Sequence, residues 1–361
     1  MYTSQNKNSF FLKLAFQQAE INLGSTSLNP SVGCIIVKNN SVISSGKTSF
    51  NGRPHAEADA LQKKKNVKGA RMYITLEPCS HYGKTPPCVN KIISQKLHKV
   101  IFSINDIDER SKNLAYTKLK KAKINIKRFI LTDYANFFYR SYLLQFSKQA
   151  PLIDAKLAVS EDYLTINKKQ KWITNSMSRK TGNFLRSKYD CIVSTAKTVN
   201  YDNSSLDCRI EGLEHKSPAV IIIDRSFKIK KKLKVFRNKS RKIFIFTHTN
   251  NKVKENFFKK IGVEIIKFNK TNNLKKDLSE VYFCLKKLGF NRILIESGAE
   301  YTNEVLKHKL IENFYLFKSP LKLKNRGRNN INPHLIRKLK TTIKNKVKIN
   351  LNGDSLYKIQ L

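Results

Sequence analysis

The chain lacks the features that would place a protein in a membrane or send it through one. No stretch of about 18 consecutive apolar residues occurs, and a transmembrane helix needs roughly that length. The opening residues, MYTSQNKNSFF, contain no basic segment followed by an apolar one, so they do not predict a secretory signal. We therefore expect a soluble, cytoplasmic protein that has no membrane partner.

Cysteine is scarce, and its spacing excludes a disulfide framework. Cys34, Cys191, Cys208 and Cys284 are scattered through apolar segments. Reduced thiols fit this pattern best, and they agree with a cytoplasmic location.

Acidic residues are also few. Aspartate and glutamate number 26 against 70 lysines and arginines, which gives a formal charge of +44. Basic surfaces bind phosphate backbones by counterion release, so the charge raises the question of a nucleic-acid partner. The lysines are spread along almost the whole chain, however, and an A/T-rich coding bias gives the same composition. We expect no specific nucleic-acid partner, and we interpret the basic stretch from Lys322 to Lys348 as solvated surface.

The length of 361 residues suits two domains. We place the boundary at Ala150-Pro151, which gives domains of residues 1–149 and 150–361. Internal repeats and long low-complexity linkers are absent from the sequence. Helical and strand patterns alternate in both parts, which predicts two layered α/β domains.

The apolar periodicity assigns segments to each domain. In the first we predict helices at 10–21, 55–62, 88–97 and 134–147, strands at 71–76, 100–104 and 124–130, and a hairpin at 32–45 that turns at Asn39-Asn40. In the second we predict strands at 152–159, 191–194, 219–224, 242–247, 263–268 and 292–296, with helices at 274–288 and 301–308.

Two short motifs in the first domain carry hydrolytic chemistry. His55-Ala56-Glu57 is followed by Pro78-Cys79, and Cys88 comes nine residues after Cys79. One imidazole and two thiolates are a ligand set for a catalytic Zn²⁺ that activates water. We expect His55, Cys79 and Cys88 to bind the metal near helix N-termini, and Glu57 to act as general acid and base without being a ligand.

The spacing of the cysteines distinguishes between classes of zinc deaminase. The string from Pro78 to Cys88 reads PCSHYGKTPPC, and it resembles the pyrimidine deaminase of riboflavin biosynthesis, which is commonly fused to a reductase. Asn29 to Cys34 (NPSVGC) resembles the substrate loop of the same family. Nucleoside and transfer-RNA deaminases normally keep the two cysteines two residues apart. The resemblance implies a cytidine-deaminase-like fold, with Asn29 and Lys84 as substrate contacts.

The second domain has no G-x-G-x-x-G after any predicted strand, so a Rossmann dinucleotide fingerprint is absent. The segment ILIESGAE, from Ile293 to Glu300, instead ends a buried type of strand in Gly298 just before a helix. Backbone N–H groups at such a turn can bind a phosphate, although most turns of this kind are structural.

Successive blocks of this domain resemble the reductase that follows the riboflavin deaminase. They are Lys156-Leu157, Trp172-Ile173-Thr174, Leu185-Arg186-Ser187, Thr198-Val199, Asp202, Leu206 and Arg209, in the same order. The resemblance implies a dihydrofolate-reductase-like fold that uses NADPH. It implies cofactor contacts at Ala158, Trp172, Thr198, Asp202 and Gly298, and substrate contacts at Arg186, Leu206, Arg209 and Glu296. The two arginines suit a phosphorylated sugar because a guanidinium binds phosphate with two hydrogen bonds.

Several positions depart from the family pattern. Ser160-Glu161-Asp162-Tyr163 replaces the usual Ser-Leu-Asp-Gly and is followed by a shortened turn, Gln170 replaces a Ser, and Ser204 replaces a Pro. In the first domain Thr48 replaces a His, and Asp106-Ile107-Asp108-Glu109 replaces Asp-Pro-Asn-Pro. These changes leave the zinc ligands intact and affect the residues that would position substrate.

The resemblance therefore predicts a bifunctional enzyme that deaminates a diaminopyrimidinone ribosylamino phosphate and then reduces its ribosyl chain with NADPH. We expect a small phosphorylated pyrimidine as substrate and a homo-oligomer as the assembly. Two alternatives stay open. One is a deaminase that acts on nucleic acid or nucleosides, and the other is an enzyme whose reductase half has lost its activity.

Overall fold

The computed structural model describes residues 4–64, 66–147, 150–269, 271, 273–332, 335 and 343–361. The chain forms two compact units, Met1–Ala150 and Pro151–Leu361. Each unit layers helices on a β-sheet, which confirms the prediction of an α/β fold. In the described part of the chain, no helix is both long enough and apolar enough to cross a bilayer.

The first unit contains a sheet of five strands in the order β2-β1-β3-β4-β5. Strands β3, β4 and β5 run parallel, and β1 is antiparallel to both of its neighbours. The elements are α1 (Ser4–Ile21), β1 (Gly33–Lys38), β2 (Ser41–Lys47), α2 (Ala56–Gln62), β3 (Arg71–Ile74), α3 (Cys88–Ser94), β4 (Lys99–Phe102), α4 (Leu114–Lys121), β5 (Asn125–Arg128), α5 (Thr132–Phe138) and α6 (Arg140–Ser147).

The alternation of side chains divides the core of this unit between the two faces of the sheet. Ile35 and Tyr73 pack with Phe11 and Ala15 of α1 on one face. On the other face the buried residues come from β1, β3, β4 and the remaining helices, among them Cys34, Ile36, Ala56, Ala60, Met72, Ile74, Val89, Ile92, Val100 and Phe102. The sheet is therefore covered on both sides, and only its strand ends are open to build a site.

The second unit contains a sheet of eight strands in the order β11-β10-β9-β8-β12-β6-β13-β15. All neighbours in this sheet are parallel except β13 and β15. The elements are β6 (Leu152–Val159), β7 (Leu164–Asn167), α7 (Ser176–Arg186), β8 (Cys191–Thr195), α8 (Ala196–Asp202), β9 (Ala219–Ile223), β10 (Ile243–Thr247), α9 (Lys252–Lys260), β11 (Val263–Lys267), α10 (Leu274–Lys287), β12 (Arg292–Ile295), α11 (Ala299–Lys307), β13 (Asn313–Lys318), β14 (Gly327–Asn330) and β15 (Ser355–Gln360).

Sequence pattern explains both the strands and the helix starts of this unit. Strands such as β9 (AVIII) and β10 (IFIFT) are apolar throughout because helices cover both faces of a parallel sheet.

The helices of this unit begin at residues whose side chains can accept a hydrogen bond from a free backbone N–H. Asn175, Thr195, Asn251 and Asn273 each accept such a hydrogen bond at the start of α7, α8, α9 and α10.

The structure also corrects the predicted elements. The single helix expected at 134–147 is two helices, α5 and α6, which meet at Tyr139. Strands β7, β13 and β14 were not predicted, because they are short or lie in segments without clear alternation. The hairpin turns at Asn39-Asn40 as expected, and both residues have the positive φ that a tight hairpin turn requires. Part of the basic stretch from Lys322 to Lys348 lies outside the described residues.

Gly33 is where this packing leaves no room for a side chain. A Cβ atom at Gly33 would lie 1.8 Å from the carbonyl oxygen of Ala15, whereas one at Gly182 would meet only Lys156 at 3.7 Å. We expect Gly33→Ala to lower the free energy of unfolding of the first unit by about 1–3 kcal/mol or more. Gly182→Ala, the matched control in helix α7, should not destabilise the chain. Urea unfolding followed by circular dichroism measures both, and equal effects would contradict the packing argument.

Candidate functional sites

Three predicted metal ligands meet at one point of the first unit. His55 is the extended residue that precedes α2, Cys79 lies in the loop after β3, and Cys88 is the first residue of α3. The Nδ1 atom of His55 lies 3.5 Å from the Sγ atom of each cysteine, and all three atoms lie within 4.8 Å of one another. The sequence separates these residues by up to 33 positions, and the fold brings them together.

The donor set and its spacing fit zinc. Zinc bonds of about 2.0–2.3 Å at tetrahedral angles place the ligand atoms roughly 3.5 Å apart, which agrees with the two measured distances. Three protein ligands leave a fourth position for water, which is the arrangement of a catalytic rather than a structural zinc site.

The thiols of this cluster already share one negative charge. The side chain of Cys88 hydrogen-bonds to Cys79, and the backbone N–H of Cys88 donates to Cys79 Sγ at 3.2 Å. These contacts lower the pKa of Cys79 to about 4, and the same shared hydrogen bond raises the pKa of Cys88. Cys79 thus faces the N-terminus of α3 as a thiolate, and metal binding would release the proton that Cys88 holds.

Glu57 lies beside this cluster in the first turn of α2. Its side chain is only 3% exposed, and burial, reinforced by the charge of Cys79, raises its pKa to about 7. A carboxyl group with a pKa near neutrality can take a proton and return it at similar rates. The environment of Glu57 therefore suits general acid and base chemistry.

The insert between the two cysteines is held at both ends. Ser80 Oγ donates to the carbonyl of Ser111 at 3.2 Å, and His81 Nδ1 lies 2.7 Å from Ser111 Oγ. On the other side Arg53 Nη1 donates to Thr85 Oγ1 at 2.5 Å. The insert thus forms a bridge between the segment before His55 and the loop after β4, and Lys84 is exposed at its tip.

A buried carboxylate fixes the loop after β4, where the sequence departs from the family pattern. Glu77 Oε2 accepts backbone N–H groups from Asp106 and Asn113, each at 3.1 Å. Asp106 in turn accepts a hydrogen bond from Tyr142 at 2.7 Å, and Asp108 pairs with Arg110 through both carboxylate oxygens. Asp106 and Asp108 therefore hold this loop in place, although Ile107 and Glu109 stand where the family has prolines.

The predicted substrate residue Asn29 lies next to the loop that leads into His55. Gly52 has a φ of +89°, and a Cβ atom there would lie 2.1 Å from Asn29 Nδ2. Thr48, which replaces a His of the family pattern, is buried, and its Oγ1 accepts the backbone N–H of Val32 at 2.9 Å. Thr48 therefore has a structural role, since it ties the end of β2 to the Asn29 loop.

A second cluster lies in the other unit, at the carboxyl ends of its central strands. Arg186 binds Glu296 through two parallel hydrogen bonds, Nε to Oε1 at 2.7 Å and Nη2 to Oε2 at 2.9 Å. Lys156 Nζ lies 3.8 Å from the same carboxylate. Strands β8, β12 and β6 meet here, where the strand order reverses direction, and ligands of open α/β sheets bind at such switch points.

This cluster keeps a charged carboxylate buried. Desolvation opposes the charge of Glu296, but Arg186 and then Lys156 outweigh it and lower the pKa of Glu296 to about 2. The same burial lowers the pKa of Lys156, although Glu296 partly offsets it. A lysine with a lowered pKa gives up a proton more readily than one in water.

A group of hydroxyls lies between β8 and β12. Thr198 Oγ1 accepts the backbone N–H of Gly298 at 3.0 Å, and it lies 3.0 Å from Thr195 Oγ1 and 3.2 Å from Ser297 Oγ. A Cβ atom at Gly298 would lie 3.4 Å from Thr198 Oγ1, which is ordinary van der Waals contact, so the backbone of this turn lies directly against the Thr198 hydroxyl. Gly298 also precedes helix α11, whose N-terminus favours a phosphate. The arrangement fits the phosphate groups of a dinucleotide.

The turn Ser160-Glu161-Asp162-Tyr163, another departure from the family pattern, is well formed. Asp162 accepts hydrogen bonds from Ser160 Oγ at 2.6 Å and from the backbone N–H groups of Leu323 and Lys324 at 3.0 and 2.7 Å. Burial opposes the charge of Asp162, but these bonds lower its pKa to about 2. Tyr163 adopts the positive φ of +62° where the family has glycine. Tyr163 thus adopts a left-handed backbone conformation that glycine adopts without strain.

Comparison with known proteins finds a match for each of the two units. Residues 5–104 match the cytidine and deoxycytidylate deaminase zinc-binding region, and residues 152–349 match the RibD C-terminal domain. The riboflavin biosynthesis protein RibD of Buchnera aphidicola is 32% identical over 87% of this chain and 87% of its own length. The chain belongs to the RibD family. It is a bifunctional deaminase and reductase of riboflavin biosynthesis, and its cofactors are Zn²⁺ and NADPH.

Further RibD proteins extend this likeness to the whole fold. RibD of Aquifex aeolicus is 30% identical over 86% of both chains. The solved structure of Acinetobacter baumannii RibD matches with a TM-score of 0.83 at 25% identity, and 99% of each chain is covered. The predicted resemblance and the predicted pairing of a cytidine-deaminase-like with a reductase domain are therefore confirmed.

The remaining residues expected from the RibD pattern lie in different settings. Trp172 is 52% exposed and stacks with Arg179, whose guanidinium lies 4.9 Å from the ring centre. Ala158 lies near the end of β6, and Asp202 ends α8 on the surface. Leu206 is only 3% exposed and packs in the apolar core. Asp202 lies four positions after Thr198 on the same helix, α8. Among the described residues, no side-chain hydrogen bond joins the other three to the Thr198 cluster.

Sequence reasoning missed three residues that the RibD fold places at the sites. Arg53 comes two positions before His55 and contacts the insert, so its position in the motif could have singled it out. Lys156 belongs to one of the blocks that resemble the reductase, but that resemblance does not distinguish it as a site residue. Arg241 is buried and donates to the carbonyls of Leu206 and Ser205. No sequence signal marks Arg241, because it lies about 35 residues from the loop that it holds.

The ligand set predicts a specific loss of metal. We expect Cys88→Ser to reduce bound zinc from one ion per chain to below about a tenth, because removing one of three ligands leaves an incomplete site. Cys284→Ser, a matched change in helix α10 of the other unit, should leave the zinc content unchanged. Metal analysis after dialysis measures both variants, and full occupancy in Cys88→Ser would show that another residue completes the site.

Proposed function

We propose that the first unit removes the 2-amino group of 2,5-diamino-6-(ribosylamino)pyrimidinone 5′-phosphate by hydrolysis. The second unit would then reduce the ribosyl chain to ribityl, which gives 5-amino-6-(ribitylamino)uracil 5′-phosphate. The observation that carries the proposal is the juxtaposition of the His55, Cys79 and Cys88 ligand atoms with buried Glu57. The long insert between the cysteines, which this chain shares with the riboflavin deaminase pattern, supports the choice of substrate.

In the deaminase half, zinc held by His55, Cys79 and Cys88 would lower the pKa of a water molecule and so supply the nucleophile. Glu57 accepts the proton from that water and delivers it to the departing amino group, which leaves as ammonia. The carboxyl group of Glu57 is ionised at the start and at the end of the cycle. Water is therefore the only reactant that deamination needs besides the substrate. A pKa near 7 lets one residue perform both transfers.

The substrate phosphate lies, in our proposal, at the insert. Lys84 is exposed at its tip, and Arg53 reaches it from the segment before His55. Asn29 lies against Gly52, which belongs to the loop that leads into His55. From this position its side-chain amide can hydrogen-bond to the pyrimidine ring. The ring would thus be held between Asn29 and Glu57, and the charged end of the substrate would face the basic insert.

In the reductase half, bound NADPH would supply the hydride that reduces C1′ of the sugar. Opening of the sugar ring leaves an alkoxide that needs a proton. Lys156 has a lowered pKa and lies beside Glu296, so we propose it as the donor. Glu296 would hold the ammonium of Lys156 and a sugar hydroxyl, and Arg186 keeps Glu296 ionised and in place.

The two arginines have different roles in this proposal. The guanidinium of Arg186 also donates to Asn183 Oδ1 and to the carbonyl of Asp207, so four of its N–H groups are engaged. That leaves no pair of donors for a phosphate. The side chain of Arg209 is 53% exposed and pairs only at Nη1, with Asp207 and Ser205, among the described contacts. We therefore place the substrate phosphate at Arg209, with Leu206 as a core residue that shapes the loop.

NADPH would lie across the carboxyl ends of β8 and β12. Thr198 and Gly298 would contact its phosphates, and Ala158, Trp172 and Asp202 would line the rest of its path, as the resemblance implies.

We also propose that the deaminase occupies residues 1–149 and the reductase residues 150–361. The six cysteines are unpaired, which supports a cytoplasmic location. A homo-oligomer stays our expectation for the assembly.

A coupled assay tests the whole proposal. Purified full-length protein with zinc is given the diaminopyrimidinone phosphate, with and without NADPH, and ammonia release and NADPH oxidation are followed together. Ammonia followed by stoichiometric NADPH loss would support both halves. Ammonia alone would mean that the second unit has lost its reductase activity. Absence of both signals would reject the proposed substrate.

Glu57 should be essential for ammonia release and dispensable for metal binding. We expect Glu57→Gln to keep its zinc and to lower the deamination rate by about 10²–10⁴-fold, because the amide cannot accept the proton. Glu264→Gln, an exposed control on β11, should have the wild-type rate. The rate is measured as ammonia released per zinc-loaded chain. Wild-type activity in Glu57→Gln would remove this residue from the mechanism.

Arg209 should matter for reduction only. We expect Arg209→Ala to raise the KM of the reductase for its substrate about tenfold to a hundredfold, the loss of one charged hydrogen bond, with little change in kcat. Deamination should be unaffected. Arg237→Ala, an exposed control in the same unit, should leave both activities unchanged. An equal loss of both activities in Arg209→Ala would indicate misfolding and contradict a role in substrate binding.

A further inference from the structure

The first unit has a second concave site, at the strand ends opposite the metal centre. It is a cavity of about 180 Å³, and on this measure a single water molecule needs about 10–15 Å³. Its lining residues are polar or basic and include no carboxylate: Lys7, Asn8, Arg71, His98, Lys99 and Lys127. Neither the deaminase nor the reductase reaction uses any of them.

Strand register explains why these side chains converge. Arg71 begins β3 and pairs with Lys99, which begins β4, and Lys127 of β5 pairs with Ile101 of β4. Partners at the same register point to the same face of a parallel sheet, and residues two apart share that face. The three basic side chains therefore lie on the face that carries Ile101 and Tyr73, which is the face that α1 covers.

Helix α1 closes the other side of the cavity. Lys7 and Asn8 lie one turn before Phe11, which packs on Tyr73 with ring centres 5.1 Å apart. Because residues four apart share a helix face, Lys7 and Asn8 reach the sheet at its amino end. The helix thus stops short of filling the space above Arg71 and Lys99, which leaves the cavity open there.

A hydrogen bond between two side chains closes the inner end of the cavity. Asn8 is 7% exposed, and its Oδ1 atom accepts a hydrogen bond from the hydroxyl of Tyr73 at 3.1 Å. The side chain of Arg71 hydrogen-bonds to the same hydroxyl. This network orients Arg71 and turns the amino group of Asn8, a hydrogen-bond donor, away from Tyr73.

The charge of the site is uncompensated. In the part of the chain that the structure describes, Lys7, Arg71, Lys99 and Lys127 form no ion pair with a carboxylate. Four cationic side chains line one small cavity, and an anion bound there would pair with all of them. Their total charge of about +4 exceeds the charge of about −2 on a phosphate monoester, so it suits a condensed phosphate with more negative charges.

We propose that this cavity binds a condensed phosphate, either inorganic triphosphate or the triphosphate group of a nucleotide. Strand β3 begins at Arg71 and runs toward Cys79, so the proposed site and the metal centre lie beyond opposite ends of the same strand. The site is therefore separate from the substrate site, and its occupancy does not depend on the catalytic proposal.

Isothermal titration calorimetry of the zinc-loaded, full-length protein with sodium triphosphate, at about 0.15 M salt, tests the proposal. We expect Arg71→Gln combined with Lys127→Gln to weaken binding at least tenfold. Lys259→Gln combined with Lys260→Gln removes the same charge from exposed positions of the other unit, and it should change the affinity less than twofold. Titration with ATP identifies the source, since tighter binding than triphosphate indicates a nucleotide and equal binding indicates the phosphate chain alone.

Three results would overturn the proposal. They are no binding of triphosphate to the wild-type chain, an equal loss of affinity in both double variants, or an oligonucleotide that depends on Arg71 and Lys127 more strongly than triphosphate does. The second result would mean diffuse attraction by the net charge. Zinc content and ammonia release of the Arg71 and Lys127 double variant show that it is folded. If they fall, the single variant Lys99→Gln, expected to bind at least threefold more weakly, replaces it.

Discussion

A charge that is taken out of water is stable only when its partners are buried with it, and both sites are organised around such a charge. In the first unit the thiolate of Cys79 is held by Cys88 and by the start of α3. In the second unit the carboxylate of Glu296 is held by the two parallel bonds from Arg186 and by Lys156. Each charge holds together the ends of two or three helices and strands. The contacts that shape the site are therefore also contacts that stabilise the fold.

The same constraint explains why the two sites perform different chemistry. Burial and the negative charge of Cys79 raise the pKa of Glu57 to about 7, and His55 offsets only part of this rise. Glu296 is just as buried, but two cations lower its pKa to about 2. The first carboxyl group can exchange protons at neutral pH, and the second can only attract and orient. Proton transfer in the reductase must therefore come from another group, which is why Lys156 is the candidate.

The sequence predicted the metal centre well because its residues are chemically distinctive and sit at element ends. His55, Cys79 and Cys88 were identified by residue type and spacing alone, and the hairpin at Asn39-Asn40 was identified by its turn residues. Contacts between distant segments were not predictable in this way. Arg241 and the Glu77 network are ordinary residues in the sequence, and their roles depend on carbonyl and N–H groups that the tertiary fold presents.

Strand pairing was the other feature that the sequence did not predict. Strands β13 and β15 pair across about 40 residues, and no local pattern shows which strands they pair with. The departures from the family pattern were also hard to judge from sequence. Thr48 stands where the family has a His, and Glu161 and Tyr163 flank Asp162 where the family has Leu and Gly. Only the structure shows that Thr48 and Asp162 are hydrogen-bonded. The effect of such substitutions depends on tertiary contacts, which no single residue reveals.

The excess of lysine and arginine lies on the surface of the protein and not in its interior. Among the described residues, nine of the 26 acidic side chains are buried, whereas only Lys216 and Arg241 are buried of the 70 lysines and arginines. An added lysine on the surface keeps its water and costs little, but a buried carboxylate cannot be replaced without leaving its donors unpaired. The buried acidic residues are therefore those whose replacement would cost the most stability. The acidic residues that persist in such a chain are a better guide to function than its net charge.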